Sequence, residues 1–455
     1  MFRKILIANR GEIAVRVIRA CRDMGIISVA VYSDADRESL HTLIADEAVC
    51  IGGAYSRDSY LNMNALITAA KLTGADAIHP GYGFLSENSR FAKLCEENSI
   101  EFIGPSARSI ELVGDKAEAR RTMAAAGVPI VPGSDGIVKD IKTAEEIADG
   151  IGYPIMIKAS NGGGGKGIRL VENKEGLARA FDAAKSEAAA NFGDDGIYIE
   201  KFIRDPHHIE FQILADKLGN AIHLMERDCS MQRRHQKVLE ETPSSFLTPE
   251  LREKMGAASV AAAKAAGYFG AGTVEYLVDA DRNFYFMEMN ARIQVEHPVT
   301  EVLTGVDIVR AQIDIAAGKK LKFTQEDINP RGHVIECRIN AENPARGFAP
   351  CPGKITGFNV PGGLGVRFDT AVYQGYTVPP YYDSMIAKLI VSGSDRDEAI
   401  TRMRRALAEF IIEGIESNLD FQLALTATPE FLNGNYTNAF LDNKDINELL
   451  KNEVN

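Results

Sequence analysis

The fold of this chain is decided by Thr273-Val-Glu-Tyr-Leu-Val278 and Phe284-Tyr-Phe-Met-Glu-Met-Asn290. Both stretches are rich in apolar residues, and the polar segment 279–283 between them predicts the turn of a β-hairpin. Centring the turn on that segment pairs Glu275 with Glu288 across the two strands. The pairing depends on register, because a slip of one residue moves every side chain to the opposite face.

The same register predicts how the side chains divide between the two faces of the hairpin, since successive residues of a strand point to opposite sides. The first face carries Thr273, Glu275, Leu277, Phe284, Phe286, Glu288 and Asn290. The second face carries Val274, Tyr276, Tyr285 and Met287. The two glutamates are therefore expected on the same face as an amide side chain.

Glu275 and Glu288 would repel each other, because like charges directly opposite on a sheet are unfavourable. At about 5 Å and an effective dielectric near 20, the repulsion is roughly 3 kcal/mol. Together with the Asn290 amide oxygen, the pair predicts a hard divalent cation, and Mg²⁺ with phosphate oxygens fits best. The alternative is a pair that points to solvent on an edge hairpin. The polar run 292–297, which follows at once, favours the cation.

Length and charge limit the classes of function. A chain of 455 residues is too long for one core and suggests roughly two to four domains. An apolar fraction of 45% with 25% charged residues is typical of a globular protein. The formal net charge of -12 argues against a nucleic-acid or anionic-membrane partner, because those partners need a basic surface. Any bound anion must then be held by a local basic cluster.

Neither a membrane anchor nor a cysteine framework is expected. Apolar runs stay short of the roughly 18 residues that a membrane span needs, and the segment 1–8 is typical of a short strand rather than a signal peptide. The six cysteines are scattered without a CxxC pair, so we expect reduced thiols and no zinc site. These features predict a cytoplasmic protein.

The N-terminal part predicts an α/β domain with a parallel sheet. Strand-like segments 4–8 and 28–32 flank a helix predicted over 12–24, which gives a βαβ unit. The turn after the first strand lacks the G-x-G-x-x-G pattern, which argues against a nicotinamide site. The loop His79-Pro-Gly-Tyr-Gly-Phe84 lies where such sheets bind ligands, so this loop and its Tyr82 are candidates for binding. A tight structural turn is the alternative.

The middle of the chain holds two candidate anion sites. A strand over 153–158 leads into Asn161-Gly-Gly-Gly-Gly-Lys-Gly167, whose glycines suit a backbone that approaches phosphates or a lid that hinges. A flexible linker is the alternative, although Lys158 and Lys166 bracket the run. The charged segment 226–237 is the second candidate. Its basic residues in an acidic chain favour an anion pocket over a purely solvated face.

The rest of the chain predicts a third, β-rich domain. The segment Asn329-Pro-Arg-Gly332 is typical of a boundary, and a strand over 333–340 follows it. Alternate residues of that strand face a core, which leaves Arg338 on the opposite side. Turns rich in Pro and Gly then separate short strands, before a helix predicted over 396–410.

Several motifs occur in the order, and over nearly the full span, of one known family. They are Asn9-Arg-Gly-Glu-Ile-Ala14, His79-Pro-Gly-Tyr-Gly-Phe-Leu-Ser-Glu-Asn88, Lys158-Ala-Ser-Asn-Gly-Gly-Gly-Gly-Lys-Gly167, Arg227-Asp-Cys-Ser-Met-Gln-Arg-Arg-His-Gln-Lys237, Glu288-Met-Asn-Ala-Arg-Ile-Gln-Val-Glu-His-Pro298 and Glu336-Cys-Arg-Ile-Asn-Ala-Glu342. Together they closely resemble biotin carboxylase, an ATP-grasp ligase.

The resemblance implies an α/β fold in three parts. A Rossmann-like parallel-sheet domain is expected over 1–112, an ATP-grasp domain over 113–330 with a mobile lid at about 131–203, and a mixed β-rich domain over 331–455. The implied reaction is ATP-dependent carboxylation of biotin by bicarbonate through carboxyphosphate. ATP, bicarbonate, biotin and Mg²⁺ or Mn²⁺ are the implied substrates and cofactors.

The resemblance also implies roles by motif position. Catalytic roles fall to Lys237, Arg292, Glu296 as general base, and Arg338, which would stabilise negative charge on the biotin ureido oxygen. The metal ions would be bound by Glu275, Glu288 and Asn290. Contacts to ATP and the other ligands are implied for Tyr82, Lys116, Lys158, Gly164, Gly165, Glu200, Lys201, Phe202, Ile203, His208, Gln232 and His235. Bicarbonate would be held by Lys237 and Arg292 together with Gln294 and Val295.

Because the sequence contains no Met-Lys-Met acceptor for biotin, we expect biotin to be presented by a separate biotin carboxyl carrier protein and used by separate carboxyltransferase subunits. A homodimer of this chain is also implied. The expected process is the first half-reaction of acetyl-CoA carboxylase, in fatty-acid synthesis. The alternatives are a two-subunit pyruvate or propionyl-CoA carboxylase, another ATP-grasp ligase, which would lack the domain with Arg338, and a dinucleotide-binding module.

Overall fold

The structure, a computed structural model, describes residues 1–159, 168–192 and 196–451. Its N-terminal part is a parallel sheet, as the βαβ pattern predicts. The strands are β1 Lys4–Ile7, β2 Ile27–Ser33, β3 Glu47–Gly52, β4 Ala77–His79 and β5 Glu101–Phe102. They lie in the order β3-β2-β1-β4-β5. This order places the loop after β4 beside the central strand β1.

Both faces of this sheet are buried, which explains its continuous apolar strands. Leu6 and Ala8 enter one hydrophobic cluster, while Ile5 and Ile7 enter another on the opposite face. The helices of this part are α1 Gly11–Asp23, α2 Leu40–Ile44, α3 Met63–Thr73, α4 Ser89–Glu97 and α5 Ala107–Gly114. Local signals set their starts: the side chain of Asn88, for example, accepts a hydrogen bond from the Phe91 backbone and caps α4.

The next part is built on a small antiparallel sheet with its own core. Its elements, after the preceding helix α6 Lys116–Ala125, are α7 Ile141–Ile151, β6 Ile155–Ala159, β7 Ile168–Val171, α8 Lys174–Phe192 and β8 Ile197–Lys201. The strands lie in the order β7-β6-β8. Among the described residues, the buried apolar side chains of this unit form a cluster whose members all come from 138–199. The glycine run 161–167 lies outside the described residues.

The centre of the molecule is one large antiparallel sheet. The strands that follow β8 are β9 His207–Ala215, β10 Ala221–Arg233, β11 Gln236–Thr242, β12 Gly270–Val278, β13 Phe284–Asn290, β14 His333–Asn340, β15 Glu342–Asn343, β16 Ala349–Pro350, β17 Gly353–Lys354, β18 Gly357–Asn359, β19 Val366–Thr370, β20 Thr377–Val378, β21 Met385–Gly393 and β22 Ile411–Glu413. Eight of them form the sheet, in the order β13-β12-β9-β10-β11-β14-β21-β19. The sheet therefore continues across the segment 329–332, and it joins the predicted central and C-terminal domains through the pairing of β11 with β14.

Helices cover this sheet and complete the cores. They are α9 Pro249–Ala265, α10 His297–Thr304, α11 Ile308–Ala316, α12 Arg396–Glu409, α13 Leu419–Thr426, α14 Pro429–Leu432 and α15 Ile446–Lys451. None of the helices in the described ranges is long and apolar enough to cross a membrane. The six cysteines are unpaired thiols, and all but Cys50 and Cys351 are buried.

The predicted hairpin is present, and its central pairing is confirmed. Glu275 lies opposite Glu288 in the antiparallel pair β12/β13. A β-bulge follows directly, because Tyr276 pairs with Phe286 and skips Met287.

The bulge makes part of the predicted face assignment wrong. Phe284 and Phe286 were expected beside the glutamates, but Phe286 is buried in the apolar core on the side of Tyr276. Phe284 packs against that core as well. Met287, expected on the face away from the glutamates, is instead 38% exposed and lines the same cavity as Glu288. The extra residue shifts the alternation by one position, so Phe286 is buried and Phe284 is partly buried on the core side, while Glu288 still faces Glu275.

Glu241, at the end of β11, fastens the large sheet to the C-terminal helices. Its carboxylate accepts hydrogen bonds from Arg396 Nε at 2.8 Å and from the Tyr436 hydroxyl, and His333 Nε2 lies 2.5 Å away. Burial alone would raise the pKa of Glu241, but His333 and Arg396 lower it to about 2. A buried carboxylate with this many partners stabilises the fold only while it is ionised.

Replacing Glu241 with Gln is expected to destabilise the protein at neutral pH by on the order of 3 kcal/mol, the free-energy equivalent of the lowered pKa. Because the folded-state pKa lies below the ordinary value of 4.5, the contribution is fully present above about pH 4.5 and is lost as the pH falls towards 2. Urea unfolding measured from pH 7 to pH 4 gives the difference in free energy of unfolding between the wild type and Glu241→Gln. This difference should stay constant from pH 7 to about pH 5 and become smaller only as the pH approaches 4. The exposed control Glu253→Gln on α9 should have the same free energy of unfolding as the wild type. A stability difference for Glu241→Gln that grows on acidification would contradict the assignment.

Candidate active site

Four charged residues form a row across adjacent strands of the large sheet. Arg227 on β10 lies opposite Glu210 on β9, Glu210 lies opposite Glu275 on β12, and Glu275 lies opposite Glu288 on β13. Three carboxylates in neighbouring positions are unfavourable without cations. The row therefore needs positive charge from outside the three strands.

Lys237 supplies that charge from β11. Its Nζ donates to Glu210 Oε2 at 2.6 Å and to Glu296 Oε1 at 2.6 Å, and it lies 3.4 Å from Glu275 Oε1. The ammonium group is thus shared by three buried carboxylates. These contacts raise the pKa of Lys237 well above its ordinary value, although burial alone would lower it. Lys237 is consequently a fixed cation at the centre of the site.

Glu275 is held ionised by its neighbours. Gln294 Nε2 donates to its Oε1 at 2.6 Å, Asn290 Nδ2 donates to the same oxygen at 2.8 Å, and His208 Nε2 lies 2.9 Å from Oε2. Burial would raise the pKa of Glu275, but Lys237 and His208 lower it far below the usual range. Glu275 therefore presents a permanent negative charge to the cavity.

Glu296 lies between two cations just before α10. Its Oε1 accepts from Lys237, and its Oε2 accepts from Arg338 Nη2 at 2.9 Å. Arg338 also donates from Nε to Glu240 Oε1 at 2.6 Å. Burial would raise the pKa of Glu296, but Lys237, Arg338 and Arg227 lower it well below the ordinary value. In this state Glu296 is ionised and can accept a proton, but it is a weak base.

Arg227 forms the inner end of the row and is fully buried. Its guanidinium makes hydrogen bonds to Glu210 Oε1 (2.5 Å), Gln212 Oε1 (2.8 Å), Thr300 Oγ1 (3.0 Å), Thr273 Oγ1 (3.1 Å) and Gln294 Oε1 (2.6 Å). Within the segment 226–237, Glu226, Arg227 and Asp228 are all buried, so a purely solvated face is the wrong interpretation of this run. The arginine fixes the rotamers of the residues that contact Lys237 and Glu275.

The outer end of the hairpin fits a divalent cation by its donor set. Burial raises the pKa of Glu288, and the charge of Glu275 raises it further, so this carboxylate lacks full compensation. Asn290 offers an amide oxygen nearby, which here accepts from Arg292 Nη2 at 2.8 Å. His208, Glu210 and Glu275 also bring ligand atoms within 4.8 Å of one another. Carboxylate and amide oxygens suit Mg²⁺ or Mn²⁺.

One cavity of about 550 Å³ opens onto these residues. The predicted site residues that line it are His208, Gln232, His235, Lys237, Glu275, Glu288, Asn290, Arg292, Gln294, Val295, Glu296 and Arg338. Gln232 Nε2 lies 2.7 Å from His208 Nδ1, and His235 is in the left-handed turn between β10 and β11. The structure thus brings together the predicted catalytic and metal-binding residues.

The remaining predicted residues lie elsewhere. Lys158 pairs with Glu200 across β6 and β8, and Lys201 Nζ donates to the Gly152 and Tyr153 carbonyls, each at 3.0 Å. The residues beyond the lining of this cavity are Tyr82, Lys116, Lys158, Glu200, Lys201, Phe202 and Ile203. The hydroxyl of Tyr82 donates to Glu12. Gly164 and Gly165 lie outside the described residues.

Some residues of the site were missed from the sequence. Glu210 shares a strand face with His208, and that alternation was the available signal. Glu87, which accepts from Arg292 Nε at 2.7 Å, belongs to a quoted motif but carried no assignment. Glu240 and Lys388 gave no local signal, because their partners lie far away in sequence: Lys388 Nζ donates to the Val295 carbonyl at 2.8 Å.

Family comparisons cover nearly the whole chain. Residues 1–110 match the model described as "Biotin carboxylase, N-terminal domain", and residues 115–324 match "Carbamoyl-phosphate synthase L chain, ATP binding domain". Residues 336–443 match "Biotin carboxylase C-terminal domain". The models follow one another along the chain in the order that the motifs predict.

Individual relatives agree with the family models. The chain is 58% identical to biotin carboxylase 1 of Bacillus subtilis, over 98% of this chain and 99% of that relative. It is 56% identical to a pyruvate carboxylase subunit of Methanothermobacter thermautotrophicus, over 97% of this chain and 90% of the relative.

A solved structure is similar over the full length. It is the biotin carboxylase domain dimer of the Hydrogenobacter thermophilus 2-oxoglutarate carboxylase, in complex with MgADP, ADP and bicarbonate. The TM-score is 0.89 at 52% identity, and the match covers 99% of each chain. A cavity lined by a carboxylate row and fixed cations is thus found in a chain whose fold has been observed with a nucleotide and an anion.

Proposed function

We infer the activity from one premise: the chain belongs to the biotin carboxylase family. It is an ATP-dependent ligase that carboxylates biotin with bicarbonate and uses ATP and Mg²⁺. The observation that carries this conclusion furthest is the cavity in which Lys237 contacts Glu210, Glu275 and Glu296, and Glu296 in turn contacts Arg338. ATP hydrolysis there must be coupled to the use of an anionic co-substrate.

For the first step, we propose that Lys237 and Arg292 hold bicarbonate beside the nucleotide, with Gln294 and the Val295 backbone. Bicarbonate is an anion that must attack the γ-phosphorus of a polyanion, so fixed cations are needed to offset the repulsion. An oxygen of bicarbonate forms a bond to that phosphorus, and the bond to ADP breaks. The product is carboxyphosphate. The carboxylates around Lys237 keep its ammonium group protonated and fixed in the cavity, which supports this role.

Glu296 is proposed to take the proton that bicarbonate loses in this step. A carboxylate is a suitable acceptor only if it lies within hydrogen-bond reach of that proton. Its position at 2.6 Å from Lys237 would bring a bicarbonate bound to the ammonium group within such reach. Burial would raise the pKa of Glu296, but the charges of Lys237 and Arg338 outweigh this effect and hold the pKa low. Binding of an anion that takes over part of these two cations would raise that pKa towards a useful value.

Arg338 is proposed to act in the second step. There the bond between the carboxyl carbon and the phosphate oxygen of carboxyphosphate breaks, the carboxyl group passes to a ureido nitrogen of biotin, and the departing phosphate takes the proton of that nitrogen. A guanidinium beside the ureido oxygen favours the enolate form, and negative charge on the oxygen makes the nitrogen nucleophilic. Arg338 lines the cavity on the β14 side, next to Glu296. Glu275, Glu288 and Asn290 are proposed to bind Mg²⁺, which when bound offsets phosphate charge.

For the nucleotide we keep the assignments that the family motifs imply. Lys116, Lys158 and the glycines at 164 and 165 are proposed to contact the phosphates. Glu200 to Ile203 would contact adenine, and His208, Gln232 and His235 would complete this part of the site. Tyr82 remains a proposed ligand contact. The domain boundaries 1–112, 113–330 and 331–455 and the lid over 131–203 remain proposals too.

The acyl acceptor is set by a partner, and we propose acetyl-CoA through a separate carrier protein and carboxyltransferase. Pyruvate is the second candidate, because a pyruvate carboxylase subunit is nearly as similar to this chain as a biotin carboxylase is. Reconstitution with each type of carboxyltransferase would decide between them. A homodimer and a cytoplasmic location complete the proposal; the unpaired thiols fit a reducing compartment.

The purified protein is expected to hydrolyse ATP only with Mg²⁺ and bicarbonate, and free biotin should accelerate this hydrolysis. Bicarbonate supplies the nucleophile, and biotin removes the carboxyl group from carboxyphosphate. ADP release measured in degassed buffer, with each component added in turn, tests the expectation. Replacing bicarbonate with ammonia or an amino acid is the control for other ATP-grasp ligases. ATP hydrolysis at the same rate with and without bicarbonate would refute the proposed biotin carboxylation.

A further inference from the structure

A second pair of opposed carboxylates lies behind Arg338. Glu240 on β11 is directly opposite Glu336 on β14, and both side chains are fully buried. One oxygen of Glu240 accepts from Arg338 Nε at 2.6 Å. Within the described part of the chain, the other oxygen of Glu240 and both oxygens of Glu336 have no hydrogen-bond partner. This pair is separate from the row formed by Arg227, Glu210, Glu275 and Glu288, which includes two of the proposed metal ligands.

Two ionised carboxylates are not tolerated in this position. Like charges directly opposite on a sheet repel, and a buried carboxylate without donors has lost its hydration without replacement. The charged groups that face the pair are Arg338 on β14, Lys388 on β21, Lys237 on β11 and Glu296 before α10. Lys388 is already engaged by Glu12 at 3.0 Å and by the Val295 carbonyl. The cations near the pair are thus largely paired with other groups.

The two members of the pair are not equivalent. Glu240 has Arg338 as a direct hydrogen-bond partner, whereas Glu336 feels the charges of Lys388 and Arg338 without a hydrogen bond to either. Burial raises the pKa of Glu336 well above its ordinary value, and burial raises the pKa of Glu240 to about 7 although Arg338 opposes it. A single proton on Glu336 leaves one negative charge on Glu240, where the guanidinium can compensate it.

We propose that Glu336 carries a proton, that Glu240 is ionised, and that Glu240 is the positioning residue which holds the guanidinium of Arg338 towards the cavity. This inference rests on the proposed role of Arg338 at the ureido oxygen. With Glu240 ionised, its Oε1 holds Arg338 from both Nε at 2.6 Å and Nη2 at 2.5 Å, and Nη2 also reaches Glu296 at 2.9 Å. With Glu240 neutral, Arg338 pairs more closely with Glu296 and is less available to biotin. With both acids ionised, their charge opposes the negative oxygen that biotin develops.

The order of effects in two isosteric variants tests the proposal. Glu240→Gln should lower kcat/KM for biotin by about tenfold or more, the usual effect of losing a charged hydrogen bond. Bicarbonate-dependent ATP hydrolysis without biotin should fall less, by under about threefold. Glu336→Gln resembles the protonated acid in shape and charge, so its biotin kcat/KM should fall by no more than about threefold. Equal losses in both variants, or the reverse order, would overturn the proposal.

The pH profile separates positioning from a merely structural role. The decline of biotin kcat/KM on acidification through about pH 7 should be shallower in Glu240→Gln than in the wild type, because the titrating group is gone. Glu336→Gln should keep the wild-type decline. A Glu240→Gln profile parallel to that of the wild type would show that Glu240 acts only on stability.

A direct measurement does not depend on the reaction. In protein labelled with ¹³C at the glutamate δ-carbon, one signal should remain at the chemical shift of a protonated acid at pH 7.5. That signal should disappear in Glu336→Gln and persist in Glu240→Gln. This result would hold even if biotin proved not to be the substrate. A failure of the proposed function can therefore be distinguished from a failure of the proposed protonation of Glu336. Absence of any such signal in the wild type, or its loss in Glu240→Gln alone, would overturn the proposal.

Discussion

Replacing Glu296 with Ala is expected to reduce biotin-dependent turnover by about 10² to 10⁴-fold, the usual contribution of a general base. Glu296 is the carboxylate that touches both Lys237 and Arg338, the cations proposed for bicarbonate and for biotin. Its removal takes away the proton acceptor and leaves both cations in place. Nucleotide affinity should change little, because the row of Glu210, Glu275 and Glu288 remains.

Two measurements decide this prediction. Steady-state ADP release with and without biotin gives turnover, and isothermal calorimetry with a non-hydrolysable ATP analogue gives nucleotide affinity. Glu253→Ala, an exposed substitution on α9, is the matched control and should behave as the wild type. Normal turnover in Glu296→Ala would remove this residue from the mechanism. A large loss of nucleotide affinity would move its role from proton transfer to binding.

Replacing Arg227 with Met is expected to lower the free energy of unfolding by about 3–5 kcal/mol, the usual result of removing one partner of a buried ion pair. The guanidinium is fully buried and donates to five side-chain oxygens. Methionine fills much of the volume but satisfies none of these acceptors. Glu210 would be left with Lys237 alone.

Urea unfolding monitored by circular dichroism measures the effect. Arg310→Met, at an exposed position of α11, should change stability by less than about 0.5 kcal/mol and serves as the control. Adding Glu210→Gln to Arg227→Met removes the stranded charge, so the double variant should recover part of the loss. A single variant as stable as the wild type would show that the network contributes nothing to the fold.

The sequence predicted the hairpin because its information is local. A polar turn of five residues between two apolar runs leaves one natural register, and Glu275 does lie opposite Glu288. The parallel N-terminal sheet and the strand carrying Arg338 followed from similar local patterns. The bulge at Met287 could not be predicted from the sequence, since the pattern of apolar and polar residues does not show where one strand carries an extra residue. Its effect is to let both Met287 and Glu288 line the cavity.

Contacts between residues that are far apart in the sequence could not be predicted from local patterns. The partner of Arg338 on its buried side is Glu240, 98 residues earlier, and Arg227 reaches Gln294 across 67 residues. Strand order alone brings β11 beside β14, and nothing within either strand encodes that neighbour. The family motifs supplied the residues that contact ligands. The family motifs did not identify the residues that hold those side chains in place.

The small sheet β7-β6-β8 is structurally independent of the large sheet in its apolar core. Its apolar cluster takes all its described members from 138–199 and shares none with the clusters of the large sheet. Backbone bridges at Ile130 with Phe286 and at Gly133 with Glu200 lie near its entry. A rigid-body movement of this unit would therefore leave the described apolar clusters of the large sheet intact. The contacts among Glu296, Lys237 and Arg338 involve no residue of this unit, so the same movement would leave them in place.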